Sequence, residues 1–297
     1  MSRPRITIFG AGIFGLSVAF FCLKKGAYVR VVEKRRVGAG ASGGVVGALS
    51  PHIPENWNAK KEFQLESLVM AQDFWADVAA ISGHDPGYAR VGRLQSLGDD
   101  RAVALALARG IGADNLWCGK ARWQVVPADT AGPWAPVSAT GLLVHDTLSA
   151  RVHPQQASAA LAAAVTAMGG EITDTPPDAP GREVWATGHE GLAALSQDLG
   201  RTVGNGVKGQ GALLALDRAG APQLYGDGIH IVPHGDGTVA VGSTSERDFD
   251  DPDSTDAQLQ TVVDKARQLC PDLAHAPVIA RWAGVRPRAR SRAPMLG

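Results

Sequence analysis

The stretch Ile6-Thr7-Ile8-Phe9-Gly10-Ala11-Gly12-Ile13-Phe14-Gly15-Leu16, running on through Lys25-Gly26 to Tyr28-Val29-Arg30-Val31-Val32-Glu33, decides the fold. Ile6–Phe9 is an apolar run suited to a buried strand. Leu16–Lys25 reads as a helix stopped by Gly26, and Tyr28–Val32 as a second, β-branched strand. This βαβ unit has the spacing that dinucleotide binding requires. Gly10 permits the tight turn out of the strand. Gly12 lets a pyrophosphate approach the backbone and the positive end of the helix, and Gly15 lets helix and strand pack closely. Ile13 and Phe14 lie in the same turn. Glu33, 18 residues past Gly15 and followed by Lys34, stands where a carboxylate takes ribose hydroxyls and repels a 2′-phosphate. The motif alone does not separate NAD from FAD.

Composition bounds the rest. The chain has 297 residues, 45% of them hydrophobic, with 29 Lys+Arg balanced by 29 Asp+Glu. That length fills one large or two modest domains, and the hydrophobic content excludes a disordered chain. Zero net charge argues against a protein that holds nucleic acid by a basic surface. Cys22, Cys118 and Cys270 are too few and too scattered for a disulfide framework or a paired-cysteine metal site, so a reduced, cytoplasmic setting is expected. The apolar start is broken by three glycines and lacks a small-residue cleavage pattern, so neither export nor stable membrane insertion is expected.

A second glycine-rich loop, Arg35 to Leu49, follows the acidic strand end. Its amides and the Ser42 hydroxyl, with Gly43 and Gly44, suit an extended diphosphate. Here the chain resembles the FAD-dependent D-amino-acid oxidase and glycine oxidase family, which continues its acidic strand end in this way. The resemblance recurs along the sequence. His153-Pro154 and the helix that follows, the return strand at Gly170-Glu171-Ile172, and Val184-Trp185-Ala186-Thr187-Gly188 each resemble a family segment. So do Lys208-Gly209-Gln210, with Lys in place of Arg, the hairpin Ile229–Thr244 turning at Gly235-Asp236-Gly237, and Trp282-Ala283-Gly284-Val285-Arg286-Pro287.

The resemblance implies an α/β protein: a Rossmann-type FAD-binding domain (1–58, 140–205 and 277–297) with an inserted antiparallel-sheet substrate domain (59–139 and 206–276). Long helices are expected at 59–80 and 256–269, a shorter one at 102–108, and strands near 91–96, 140–145, 211–216 and 229–243. Residues 174–182, with Pro176, Pro177 and Pro180, read as a loop. The cofactor is expected to be FAD, held by Gly10, Gly12, Ile13, Phe14, Gly15, Glu33, Lys34, Ser42, Gly43, Gly44, Ile172, Ala186, Thr187 and Gly188. The reaction implied is oxidation of the C–N bond of a small amino acid or secondary amine, by hydride transfer to flavin N5, with oxygen or another acceptor taking the electrons.

The resemblance implies that Arg286, the arginine of the family's G-x-R-P stretch, anchors the substrate carboxylate, which a guanidinium can grip in a bidentate fork. His230 stands where glycine oxidases carry a substrate-lining Tyr, which leaves the substrate class open. His52, after the second loop, is a candidate to face the ring. His230 and His234 alone make a poor metal site, and none is expected. The family pattern continues past the Trp282–Pro287 motif into a strand, a turn and a helix whose N-terminus lies against the flavin. Gly297 stands only 11 residues beyond Arg286. The expectation is therefore a flavin pocket short of one wall unless another chain or further sequence completes it. Two alternatives follow: a non-catalytic FAD- or ADP-binding protein, and a flavin dehydrogenase for a hydroxy acid. A homo-oligomer is left open.

Overall fold

The computed structural model describes residues 3–179, 181–293 and 295. Pro180, in the expected loop, and the terminal Gly297 lie outside them. The chain opens with β1 (Arg5–Phe9), α1 (Ile13–Lys24) and β2 (Tyr28–Val32). After the second glycine loop come β3 (Ala48–Leu49), α2 (Ala59–Ser82), β4 (Arg93–Ser96), α3 (Asp100–Leu116) and β5 (Trp123–Pro127). Next are β6 (Leu142–Asp146), β7 (Ala150–Arg151), α4 (Pro154–Ala167), β8 (Glu171–Thr173), β9 (Arg182–Trp185) and α5 (Gly188–Asp198). The last third holds β10 (Gly204–Ala215), β11 (Gln223–Gly226), β12 (Ile229–Pro233), β13 (Thr238–Gly242), α6 (Ala257–Leu269) and β14 (Val278–Ala289).

Two sheets carry the architecture. The first is parallel and ordered β8-β2-β1-β9, as a βαβ crossover demands. Its inward residues Ile8, Val29 and Val31 meet Leu16, Ala19 and Phe20 of α1 and the alanine-rich face of α4 (Ala157, Ala160, Ala164). Small side chains let these two helices approach closely. Proline at the first position of α4 is pre-set for a helix start, where its missing N–H costs nothing.

The second sheet has eight strands, ordered β14-β10-β13-β12-β11-β4-β6-β5. It is antiparallel as expected except where β11 and β4 run parallel. The strands at 142–146 and 278–289, on the nucleotide side of the expected division, hydrogen-bond within it. Helix α6 buries Leu259, Val262, Val263, Ala266 and Leu269, one face at helical spacing, against Leu214, Leu224, Ile231 and Val241. Since strand side chains alternate, the opposite face of this sheet is the one turned away from α6. Helix α3 runs well past the expected 102–108, because its alanines stay in helical register and bury Ala106 and Ala113 beside Trp117 and Trp123.

Candidate active site

The glycines of the first loop are required by contact. Gly10 has φ +104°, a conformation open to glycine, and a Cβ there would lie 2.4 Å from the Ala186 carbonyl oxygen. A Cβ on Gly15 would lie 1.9 Å from the Gly10 oxygen. Gly12 caps α1 with extended backbone and offers no side-chain acceptor of its own. Ser42 compensates from the second loop, its Oγ accepting the Ile13 N–H at 2.9 Å. Gly12 faces the same hydroxyl, at 3.1 Å from where its Cβ would stand. A helix N-terminus, a bare glycine and a serine hydroxyl thus form one concave surface with backbone donors, which fits a diphosphate.

Glu33 lies beside it. One carboxylate oxygen accepts the Ala11 N–H at 3.0 Å and the other the Arg35 N–H at 3.0 Å. Each oxygen keeps a further lone pair, so the group remains able to take ribose hydroxyls. Ile172 sits in β8 next to β2, while Ala186 closes over β1 by donating to the Phe9 oxygen at 2.8 Å. Thr187 and Gly188 begin α5 directly after it. Lys34 is exposed, and so is Phe14, whose ring is 70% exposed beside the helix start. Gly43 and Gly44 are buried, Gly44 against the Trp282 ring. These residues fit an adenine dinucleotide.

The second half of the site lies on the face of the large sheet turned away from α6. Register sets Tyr225 opposite His230, His230 opposite Gly242, Gly242 opposite Gly211 and Gly211 opposite Trp282. Alternation then puts Gly209, Gly284 and Arg286 on this face as well. The stretch between His230 and Trp282 is bare of side chains, and Val45 and Val46 of the second loop cover it: Cβ atoms on Gly211 and Gly242 would lie 3.2 and 2.7 Å from Val46.

Arg286 is exposed, and among the described residues it has no ion-pair or hydrogen-bond partner. Among the described residues the His230 side chain makes no hydrogen bond either, and its Nδ1 is buried. Burial first, then the charges of Arg93 and Arg286, push the imidazole from its ordinary 6.5 to about 4, so it is neutral at physiological pH. The structure thus brings Arg286 and His230 to one face. His52 lies in the loop before α2, its backbone N–H donated to Gln64 Oε1 of that helix, with its pKa lowered by burial and by Lys60 and Lys61. Among the described residues no hydrogen bond, ion pair or ring contact links it to the other two.

Sequence reading missed Tyr225, whose ring lies 4.8 Å from that of His230, and Arg93, whose guanidinium is 5.7 Å from the Tyr225 ring. A signal for Tyr225 existed. Asp227-Gly228, with φ +48° and +76°, is the two-residue turn that favours a tight hairpin, and it fixes 225 opposite 230. It weighed His234 only as a metal ligand and missed its place in the structure. That fully buried ring lies 4.5 Å from His153, and its Nε2 bonds the Val45 oxygen at 2.9 Å, tying the β12–β13 hairpin to the loop over the bare face.

Residues 5–297 match the family described as FAD dependent oxidoreductase, DAO. The chain is 24% identical to the glycine oxidase of Geobacillus kaustophilus, over 99% of this chain and 84% of that protein. It is 27% identical to the glycine oxidase of Pseudomonas putida, over 99% and 85%. In structure it superposes on Geobacillus kaustophilus glycine oxidase with a TM-score of 0.83 at 20% identity, covering 100% of this chain and 86% of that one. With an iminodiacetate oxidase from Chelativorans sp. BNC1 the TM-score is 0.79 at 22% identity, covering 99% and 86%.

Proposed function

This chain belongs to the FAD dependent oxidoreductases of the DAO family, and from that premise we propose that it oxidises the carbon–nitrogen bond of a small amino acid or secondary amine. FAD, when bound, supplies the acceptor for the hydride that leaves the substrate carbon. The protein's part is to hold and orient the substrate. The observation that carries the reading is the unpaired Arg286 guanidinium on the same sheet face as a neutral, unpartnered His230.

Arg286 takes the substrate carboxylate, two parallel N–H groups to two oxygens, which fixes the Cα in space. His230, neutral, offers a ring-nitrogen lone pair to the substrate ammonium. It accepts a hydrogen bond there and orients the nitrogen. With its pKa at about 4 it does not keep the proton, which leaves to solvent, so the amine has its electron pair free when the C–H bond breaks. The Val45 and Val46 side chains pack against the bare glycines of the sheet and leave little room for water between them. The electrons pass on to oxygen or a separate acceptor. Cys22, Cys118 and Cys270 are all unpaired, which supports a reducing compartment.

The test is anaerobic bleaching of the protein-bound flavin against glycine, sarcosine and a panel of D- and L-amino acids. Arg286→Gln is expected to keep its FAD and lose reduction by about 100-fold or more, the scale of a lost charge-assisted pair. Reduction at the wild-type rate would remove Arg286 from the site. No bleaching of the wild type by any amine would overturn the reading.

A further inference from the structure

We propose that Arg93 is a positioning residue of the candidate site, holding the Tyr225–His230 pair against the pocket face from the neighbouring strand. For its kinetic readout this rests on the amine-oxidising reading above. Four adjacent strands carry the chain of contacts: Asp146 on β6, Arg93 on β4, Tyr225 on β11 and His230 on β12. Asp146 is fully buried and spends its carboxylate on the Ser149 N–H (2.7 Å), the Ser149 hydroxyl (3.0 Å) and Arg93 Nε (3.0 Å). Arg93, 7% exposed, is thereby fixed in direction. Its planar group meets the Tyr225 ring, a favourable cation–π contact, and that ring leans on the imidazole.

A buried ion pair by itself is weak evidence for any role beyond satisfying its own charges. The surroundings of His230 supply the rest. The charged groups acting on it are Arg93 from β4 and Arg286 from β14; Tyr225 faces it from β11, and on β13 the opposing residue is Gly242. Among the described residues no carboxylate contacts the ring. Asp146, the nearest anion along the chain of contacts, is already engaged. Two cations and no free anion leave the imidazole its lone pair, which the proposed handling of the ammonium needs. Burial does most to keep His230 neutral and Arg93 adds to it, while the aromatic stack sets the ring's orientation.

The experiment is a titration of the FAD-loaded protein by NMR, following the imidazole signal that disappears in His230→Gln. The wild type is compared with Arg93→Lys and with the double variant Arg93→Met/Asp146→Asn. The double change removes both charges of the buried pair, so no orphaned carboxylate threatens folding. His230 is expected to titrate about one pH unit higher in the double variant. In Arg93→Lys, which keeps the charge and loses the planar contact, it stays near the wild-type value. The acid limb of flavin reduction by the best amine substrate moves with it. An unchanged His230 titration in a folded, FAD-bound double variant overturns the proposal and leaves Arg93 a structural ion-pair partner. If no amine reduces the wild-type flavin, the amine reading fails, but the NMR arm still decides the role of Arg93.

Discussion

At the scale of single residues, the Ser42 hydroxyl caps a helix from another loop, and under the proposed reading the same group faces the cofactor. Among the described residues it is the only side chain that bonds the first turn of α1, because Gly12 has no cap to offer. Ser42→Ala is expected to cost about 1 kcal/mol of stability in the cofactor-free protein, the usual worth of a helix cap. It should also weaken FAD retention, which fluorescence titration of released flavin will read. Glu33→Gln tests a different contact. The amide keeps one carbonyl acceptor for the Ala11 or Arg35 N–H but not both, so roughly tenfold weaker FAD binding is expected, in line with one lost charge-assisted bond. Affinity unchanged from wild type would release Glu33 from the ribose.

At the scale of elements, what matters is which contacts the chain makes locally and which it makes across distance. The β1–α1–β2 crossover is local, and its signature is legible in the sequence because Gly10, Gly12, Gly15 and Glu33 fall at spacings that backbone geometry dictates. Gly10→Ala is expected to abolish accumulation of FAD-bound protein, since both the positive φ and the 2.4 Å approach to Ala186 forbid a Cβ. Gly26→Ala shares the positive φ, at +82°, but meets open space. It should cost only about 1 kcal/mol and keep its flavin, a contrast that thermal melts and absorbance will check. Arg286 was legible through its short motif. Arg93 was not: its partners lie on β6 and β11, and the pairing of β4 with β11 joins residues some 130 positions apart by a parallel register that no local pattern announces. The same holds for His153 and His234, which meet only because a helix cap and a hairpin end dock together.

At the scale of the whole molecule, buried neutral histidines make the fold sensitive to acid. Burial holds the His234 ring at about 4 against its ordinary 6.5, and burial lowers His153 too. Between those values the unfolded chain binds protons that the native state refuses. Stability is therefore complete above about pH 6.5 and declines as pH falls towards 4, by on the order of 3 kcal/mol from His234. Urea unfolding at pH 7.0 and pH 4.5 should show this loss, and His234→Gln should reduce it. Equal midpoints for the wild type at the two pH values would mean that the ring is not held neutral. Because His234 also ties the hairpin to Val45, the first region to loosen in acid should be the loop over the bare sheet, with flavin release preceding global unfolding.

The run of glycines under that loop has a mechanical consequence. Glycine backbone meeting stiff, β-branched valine side chains leaves few rotamers to give way, so the separation between loop and sheet is set by the strands and the two valines, as a feeler gauge sets a clearance. Any methyl added at position 242 would wedge Val46 outward rather than fold aside. The slot can therefore widen or close only as a unit, when the hairpin and the loop move together on their shared histidine pin.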